Sequence, residues 1–330
     1  MNPESVKARL KNMSVKEGGS MQDNLFAYAL ERSIYRLSIS KYADRFTLKG
    51  GVFLYALFNK QFTRVTKDID LLADKIPNDT ERMRDVFREI FSIEYDDAIR
   101  FDLNSLNIHS ITEFKEYHGV NISINAYLGR TRIPVSIDVG FGDVVYPDRV
   151  EMDFPVILDM DSPKIYVYSI CSVIAEKFEA IVSLGLINGR YKDFYDIYIL
   201  VIQFDLVGLD LQKAIQETFS HGGTTFNDIV AFEEDFVEDN MRNDKWNNFM
   251  KKKKVMGNIN FKDTIEIIKS VLLPIVNAIQ LDQEFDKLWS CKEKAGYDNN
   301  VNVLVCYCVG REDSHKSMIQ CEEMFAVDKR

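Results

Sequence analysis

Apolar residues recur at helical spacing over residues 22–40, where Leu25, Phe26, Ala29, Leu30, Ile34 and Leu37 share one side of the wheel and Glu31, Arg32 and Arg36 lie elsewhere. The pattern predicts an amphipathic helix packed on the body of a domain. A short extended stretch at 46–48, the pair Gly50-Gly51 and the apolar run 52–58 predict strand, glycine turn and helix. Residues 66–72 read as a strand and 79–100 as a helix. From 101 to 145 the alternation is that of antiparallel strands, clearest in Ile122-Ser123-Ile124 and in Ile133–Val139. Helical spacing then returns at 169–186, 191–203, 208–218, 225–236 and 262–279.

Strands with segregated helices, followed by a helical half, predict an α+β chain: a sheet domain over 1–205, a helical region over 206–280 and a tail over 281–330. The tail carries a weak strand pattern at 301–308 and four of the five cysteines. Cys291, Cys306, Cys308 and Cys321, with His315, lack paired metal-ligand spacing, so no structural zinc is expected, and reduced thiols are the simpler reading. With no leader-like segment or bilayer-length apolar run, the expected location is the cytoplasm, with no membrane partner.

The formal net charge of −10 argues against a broad grip on nucleic acid, which needs clustered cations to displace counterions. Any such contact is local. Lys49, Arg64 and Lys67 surround one motif, Arg130 and Arg132 flank a strand, and Lys251–Lys254 form a run that reads as a solvated face. The four histidines have no ligand spacing, and no nucleophile elbow, Walker loop or dinucleotide fingerprint occurs.

The chemistry concentrates in Lys49-Gly50-Gly51 and the segment Thr66-Lys67-Asp68-Ile69-Asp70-Leu71-Leu72. Alternation puts Asp68 and Asp70 on one side of a strand with Ile69 toward the core. Two such carboxylates repel unless a cation lies between them, and magnesium held by one or two carboxylates plus substrate phosphates is the usual answer. The glycine pair lets backbone N–H groups approach a triphosphate at a helix start. Asp138, opposite in face to Ile133, Val135, Ile137 and Val139, is a candidate third ligand or proton acceptor; an ordinary edge-strand aspartate reads the same way. Asp143 reads as a turn residue. Lys177 falls inside an apolar stripe with Ile170, Ile174 and Ile181, where a lysine either snorkels out or is held for a purpose. Asp193 and Asp196 share a helix face, and either could orient Lys177 or merely complement the helix N-terminus.

The ordered runs L-E-R-S-I-Y-R-L-S-I-S (30–40), R-F-T-L-K-G-G-V-F-L (45–54), R-V-T-K-D-I-D-L-L (64–72), I-D-V-G-F-G-D (137–143), A-E-K-F-E-A-I (175–181) and K-D-F-Y-D-I-Y (192–198) together resemble the nucleotidyltransferase AbiEii/AbiGii toxin family. Residues 240–250, with Trp246 and Phe249, resemble its W-x-x-F segment, and the likeness spans about 4–280. The resemblance implies a DNA polymerase β-like nucleotidyltransferase fold, a mixed central sheet flanked by helices and followed by a helical C-terminal region. It implies the toxin of a toxin–antitoxin or abortive-infection pair, with a cognate antitoxin and an NTP substrate used with Mg2+ or Mn2+. The related MenT toxins bind NTPs with magnesium, and the implied acceptor is RNA, the tRNA 3′ end, as in some members of the group. The motif positions carry over to Gly50, Gly51, Asp68, Asp70, Lys177, Asp193 and Asp196. Val52 departs, standing where many nucleotidyltransferases have a phosphate-touching serine. Kinase-like γ-phosphate transfer, AMPylation-type modification of a protein and a non-catalytic nucleotide-binding role remain as alternatives.

Overall fold

The computed structural model describes residues 1–17, 19–59, 68–111, 119–227, 229–252, 259–292 and 295–298. Lys67, Arg64 and the expected strand at 301–308 lie outside them, as do Cys306, Cys308, His315 and Cys321.

In chain order the elements are α1 (Pro3–Glu17), α2 (Met21–Ser38), β1 (Phe46–Lys49), α3 (Gly50–Leu57), β2 (Asp68–Ala73), α4 (Thr80–Phe91), β3 (Ile99–Ile111), β4 (Gly119–Leu128), β5 (Thr131–Phe141), β6 (Val150–Asp153), β7 (Lys164–Val167), α5 (Ile170–Leu184), α6 (Tyr191–Gln203), β8 (Leu206–Val207), α7 (Gly208–Gly222), α8 (Glu234–Val237), α9 (Asn240–Lys252), α10 (Phe261–Gln280), β9 (Lys287–Ser290) and β10 (Ala295–Asp298). Seven strands form one mixed sheet in the order β3-β4-β5-β2-β1-β7-β6, with parallel pairing only for β2/β5 and β1/β7. This is the α+β architecture the patterning predicts.

One face of the sheet is apolar because strand alternation sends Ile69, Ile108, Ile122, Ile124, Ile137 and their neighbours the same way, all below 7% exposure. Helices α2 and α4 cover that face, with Phe91 of α4 against Phe101 and Phe87 against Phe46. The opposite face of β3, β4 and β5 is polar.

Two expected helices change. The one over 79–100 stops at Phe91, and β3 begins at Ile99. Asp97 decides this: its buried carboxylate accepts both outer nitrogens of Arg36 on α2 and the N–H of Ile99, while Ala98 adopts φ +64. A continued helix would leave that guanidinium unpaired. The helix expected over 225–236 is replaced by a 3-10 turn at Val230–Phe232 and the short α8. Its aromatics serve as separate anchors, Phe226 stacked on Phe219 and Phe232 on Phe178, which no single helix face would satisfy.

In the second half α5, α6, α7 and α10 pack together. Trp246 of α9 is fully buried against Tyr191, Phe249 and Phe261 and donates its indole N–H to the Ile259 carbonyl. From the 281–330 segment, β9 pairs with β8, and Trp289 is buried with its N–H on the Val201 carbonyl.

Removing Asp97 strands a buried guanidinium, a loss of about 3–5 kcal/mol by precedent for broken buried pairs. Asp97→Ala should lower the urea midpoint by that equivalent at unchanged slope; an unaltered midpoint would show that the Arg36 pair does not hold α2 to the sheet.

Candidate active site

The site grows from strand register. Lys49 on β1 lies opposite Asp70 on β2, Asp70 lies beside Asp138 on β5, and Asp138 lies opposite Asn121 on β4. Residues paired across a sheet point to the same face, so this row places a cation, two carboxylates and an amide side by side. Asn121 donates its Nδ2 to Asp138 Oδ1 at 2.6 Å and to Ser136 Oγ at 3.0 Å, which holds the Asp138 carboxylate in place. Asp68, two residues back on β2 beside Ser136, is exposed on the same face.

Gly50 makes the row possible. It has φ +66, and a Cβ there would sit 1.9 Å from Asp70 Oδ2. The Asp70 carboxylate therefore occupies the space a side chain would fill, at the first turn of α3, where it also accepts the Gly51 N–H. Val52, one residue on, is 2% exposed, so that position offers no side chain to a phosphate.

Lys49 does not stand alone. Its Nζ is 2.5 Å from Asp143 Oδ2 and 3.0 Å from Glu176 Oε1 on α5, above the Tyr168 ring. Asp143, expected to be a turn residue, is thus part of the cluster, and the Tyr168 hydroxyl donates to it at 3.3 Å. Burial works against the Lys49 charge, but Glu176, Tyr168 and Asp143 outweigh it and hold the ammonium well above its ordinary value. For Asp70 the balance tips the other way: burial, with Asp138 beside it, raises the carboxyl above its ordinary value against the pull of Lys49 and Lys192. Burial likewise raises Glu176 despite Lys49. One ammonium among four acids leaves this pocket short of positive charge.

The second part of the site comes from α5 and α6. Lys177 Nζ lies 3.0 Å from Asp193 Oδ1 and 2.7 Å from Asp196 Oδ2, both aspartates fully buried, so it does not snorkel out. Arg190 Nε adds a 2.7 Å pair to Asp193 Oδ2. Burial would raise Asp193, but Lys177 and Arg190 outweigh it and hold the carboxyl below its ordinary value. Lys192, exposed on the first turn of α6, acts on both Asp70 and Asp193 and so links the two parts. Sequence reading missed Glu176, Tyr168, Asn121 and Lys192. Glu176 stands next to Lys177 in the A-E-K run, and Asn121 alternates with the apolar positions of β4, but only the closed fold shows what they meet.

Among the described residues no three His, Cys, Asp or Glu side chains form a ready-made metal cage. The donor set suits magnesium, which commonly takes one or two carboxylates and completes its shell with water and substrate phosphate; Asp70 and Asp138 side by side, with Asp68 near, supply that number in a charge-deficient pocket. The buried Cys171 has no such surroundings, and burial pushes its thiol up to about 12.

The family model for the nucleotidyl transferase AbiEii toxin of type IV toxin–antitoxin systems matches residues 32–264, most of the chain and every motif of the site. The chain belongs to this family. No curated protein matches the sequence. Among solved structures, JHP933 from Helicobacter pylori aligns at 14% identity and TM-score 0.39 over 77% of this chain and 92% of its own. A candidate nucleotidyltransferase from H. pylori aligns at 14% identity and TM-score 0.37, over 78% and 96%. Membership makes the protein a nucleotidyl transferase toxin with an antitoxin partner. Among the described residues no helix is long and apolar enough to cross a membrane.

Two outcomes test this geometry. Gly50→Ala should destabilise the protein strongly, and in an Asp70→Gly background, where the clash is gone, only the left-handed strain of about 1–2 kcal/mol should remain; additive losses in a double-mutant cycle would contradict the packing of Asp70 on Gly50. Second, a carboxyl raised on folding binds its proton more tightly in the folded state. Its stabilising contribution is complete below its unfolded value and lost as pH rises through the folded one. Without divalent metal, Asp70→Asn should therefore melt higher than the parent at pH 7, with the gap closing as pH falls through the raised folded value and gone below the ordinary aspartate range. A variant that melts lower at pH 7 would show that Asp70 is not strained by its charge.

Proposed function

We propose that the toxin transfers a nucleotide from an NTP, with magnesium or manganese, to the 3′ end of an RNA, tRNA being the expected acceptor. The observation that carries this reading is the Lys49–Asp70–Asp138 row closing on the Gly50 turn: two carboxylates in register, short of positive charge, at the start of a helix.

Bound magnesium would neutralise the triphosphate and align an acceptor hydroxyl with the α-phosphorus, held by Asp70 and Asp138 with Asp68 in support. Asn121 keeps the Asp138 carboxylate oriented, and that carboxylate takes the hydroxyl proton as the new oxygen–phosphorus bond forms and pyrophosphate leaves. Val52 is turned into the core and the Gly51 N–H is held by Asp70, so phosphate contact at this turn falls to the remaining backbone amides. Lys49 is committed to Asp143 and Glu176 and shapes the pocket, whereas Lys192 presents its charge to the departing pyrophosphate. Lys177, bound by Asp193 and Asp196, fixes α6 and therefore Lys192 relative to Asp70.

Incubation with total RNA, divalent metal and each α-labelled NTP in turn should label RNA with the parent protein, and Asp70→Ala should reduce this by at least a hundredfold. Label that enters from γ-labelled but not α-labelled NTP would replace the reading with phosphoryl transfer, and label on protein alone would replace the acceptor.

A further inference from the structure

The polar face of β3, β4 and β5 continues from the carboxylate row toward the β4–β5 turn. On β4 the half-buried Asn121, Ser123, Asn125 and Tyr127 alternate with the buried Val120, Ile122, Ile124, Ala126 and Leu128, so all four share the face of Asp138. The helices packed on these strands, α2 and α4, lie on the other side. At the far end Arg100, Tyr127 and Arg132 form a row across three strands, with the Arg100 guanidinium 4.8 Å above the Tyr127 ring. Arg100, Arg132 and Arg130 in the turn are all exposed, and none forms an ion pair among the described residues, in a chain whose net charge is −10. Asp102, the acid nearest along β3, accepts the Asn104 N–H.

We infer that this face is the docking track for a single-stranded RNA end, with the Arg100–Tyr127–Arg132 row gripping it upstream of the hydroxyl that reacts at Asp70 and Asp138. The inference rests on the RNA acceptor proposed above. Its physical content is an aromatic face for a base, guanidinium groups for phosphates and side-chain amides along the path between. Arg132 and Asp138 are six residues apart on one strand, about 20 Å, a span of a few unpaired nucleotides. Unpaired arginines in an otherwise acidic chain select a polyanion, and confining them to one end explains how such a chain binds RNA without a broad basic surface. A duplex would leave the Tyr127 ring without a base to stack on.

The test uses the full-length protein and a 3′-unpaired RNA. Fluorescence anisotropy of the labelled RNA and steady-state transfer from α-labelled NTP would be measured for the parent, Arg100→Ala/Arg132→Ala, Tyr127→Ala and Tyr127→Phe. The double arginine and Tyr127→Ala variants should weaken RNA binding and raise KM for RNA about tenfold or more, with KM for NTP unchanged, while Tyr127→Phe stays near the parent. Losing two phosphate contacts should also flatten the log–log salt slope by about 1.4. Parent-like RNA binding and KM in the arginine and Tyr127→Ala variants would overturn the track while leaving nucleotidyl transfer to RNA intact. A parent protein that binds the RNA through these residues but labels none would keep the track and overturn the acceptor reading. Neither binding nor labelling by the parent would overturn both.

Discussion

Like charges crowded on one face at the centre of the sheet are the constraint around which this protein is built. Asp70 and Asp138 are neighbours in register, Asp143 and Glu176 close in from the loop after β5 and from α5, and a single half-buried lysine stands among them. Burial strips these carboxylates of water and the neighbouring acids repel them, and the raised values of Asp70 and Glu176 follow, burial contributing most. A pocket so arranged favours an arriving cation and whatever anion completes that cation's shell. The glycine at 50 enforces the arrangement, since its missing side chain is the space the Asp70 carboxylate fills.

The helical half is tied to this face through charge as well as packing. Glu176 and Lys177 are consecutive on α5 and face opposite obligations, the first to Lys49 on the sheet and the second to Asp193 and Asp196 on α6. One turn of helix thereby fixes the sheet relative to α6 and places Lys192 within electrostatic reach of Asp70. Loss of activity on removing Lys177 would thus report a displaced α6, because buried Asp196 would lose its lysine and Asp193 one of its two cations.

How much of this was legible follows from which interactions are local. The D-x-D pair and the glycine turn could be read because strand alternation and the special backbone freedom of glycine act over a few residues. Asp138 could be placed on a face, but its position beside Asp70, 68 residues earlier in the chain, is a matter of register between strands that are not neighbours in sequence. Asp143 and Glu176 escaped for the same reason: a carboxylate two residues past a strand, and another beside a conspicuous lysine, gain meaning only when Lys49 is brought between them. The overrun of α4 came from polar residues compatible with a helix, stopped by the non-local demand of Arg36 for Asp97. The aromatic anchors at 226–236 misled in the opposite sense, because helical spacing was present but each ring fills a different part of the core.

The central claim, that the Asp70–Asp138 pair binds nucleotide only through a shared cation, is tested most directly by calorimetric titration of a non-hydrolysable NTP analogue with and without magnesium. The account predicts binding by the parent in magnesium, little or none in chelator, and loss of the magnesium-dependent heat in Asp138→Asn. Equal affinity in chelator and magnesium, or full magnesium-dependent binding by Asp138→Asn, would contradict it.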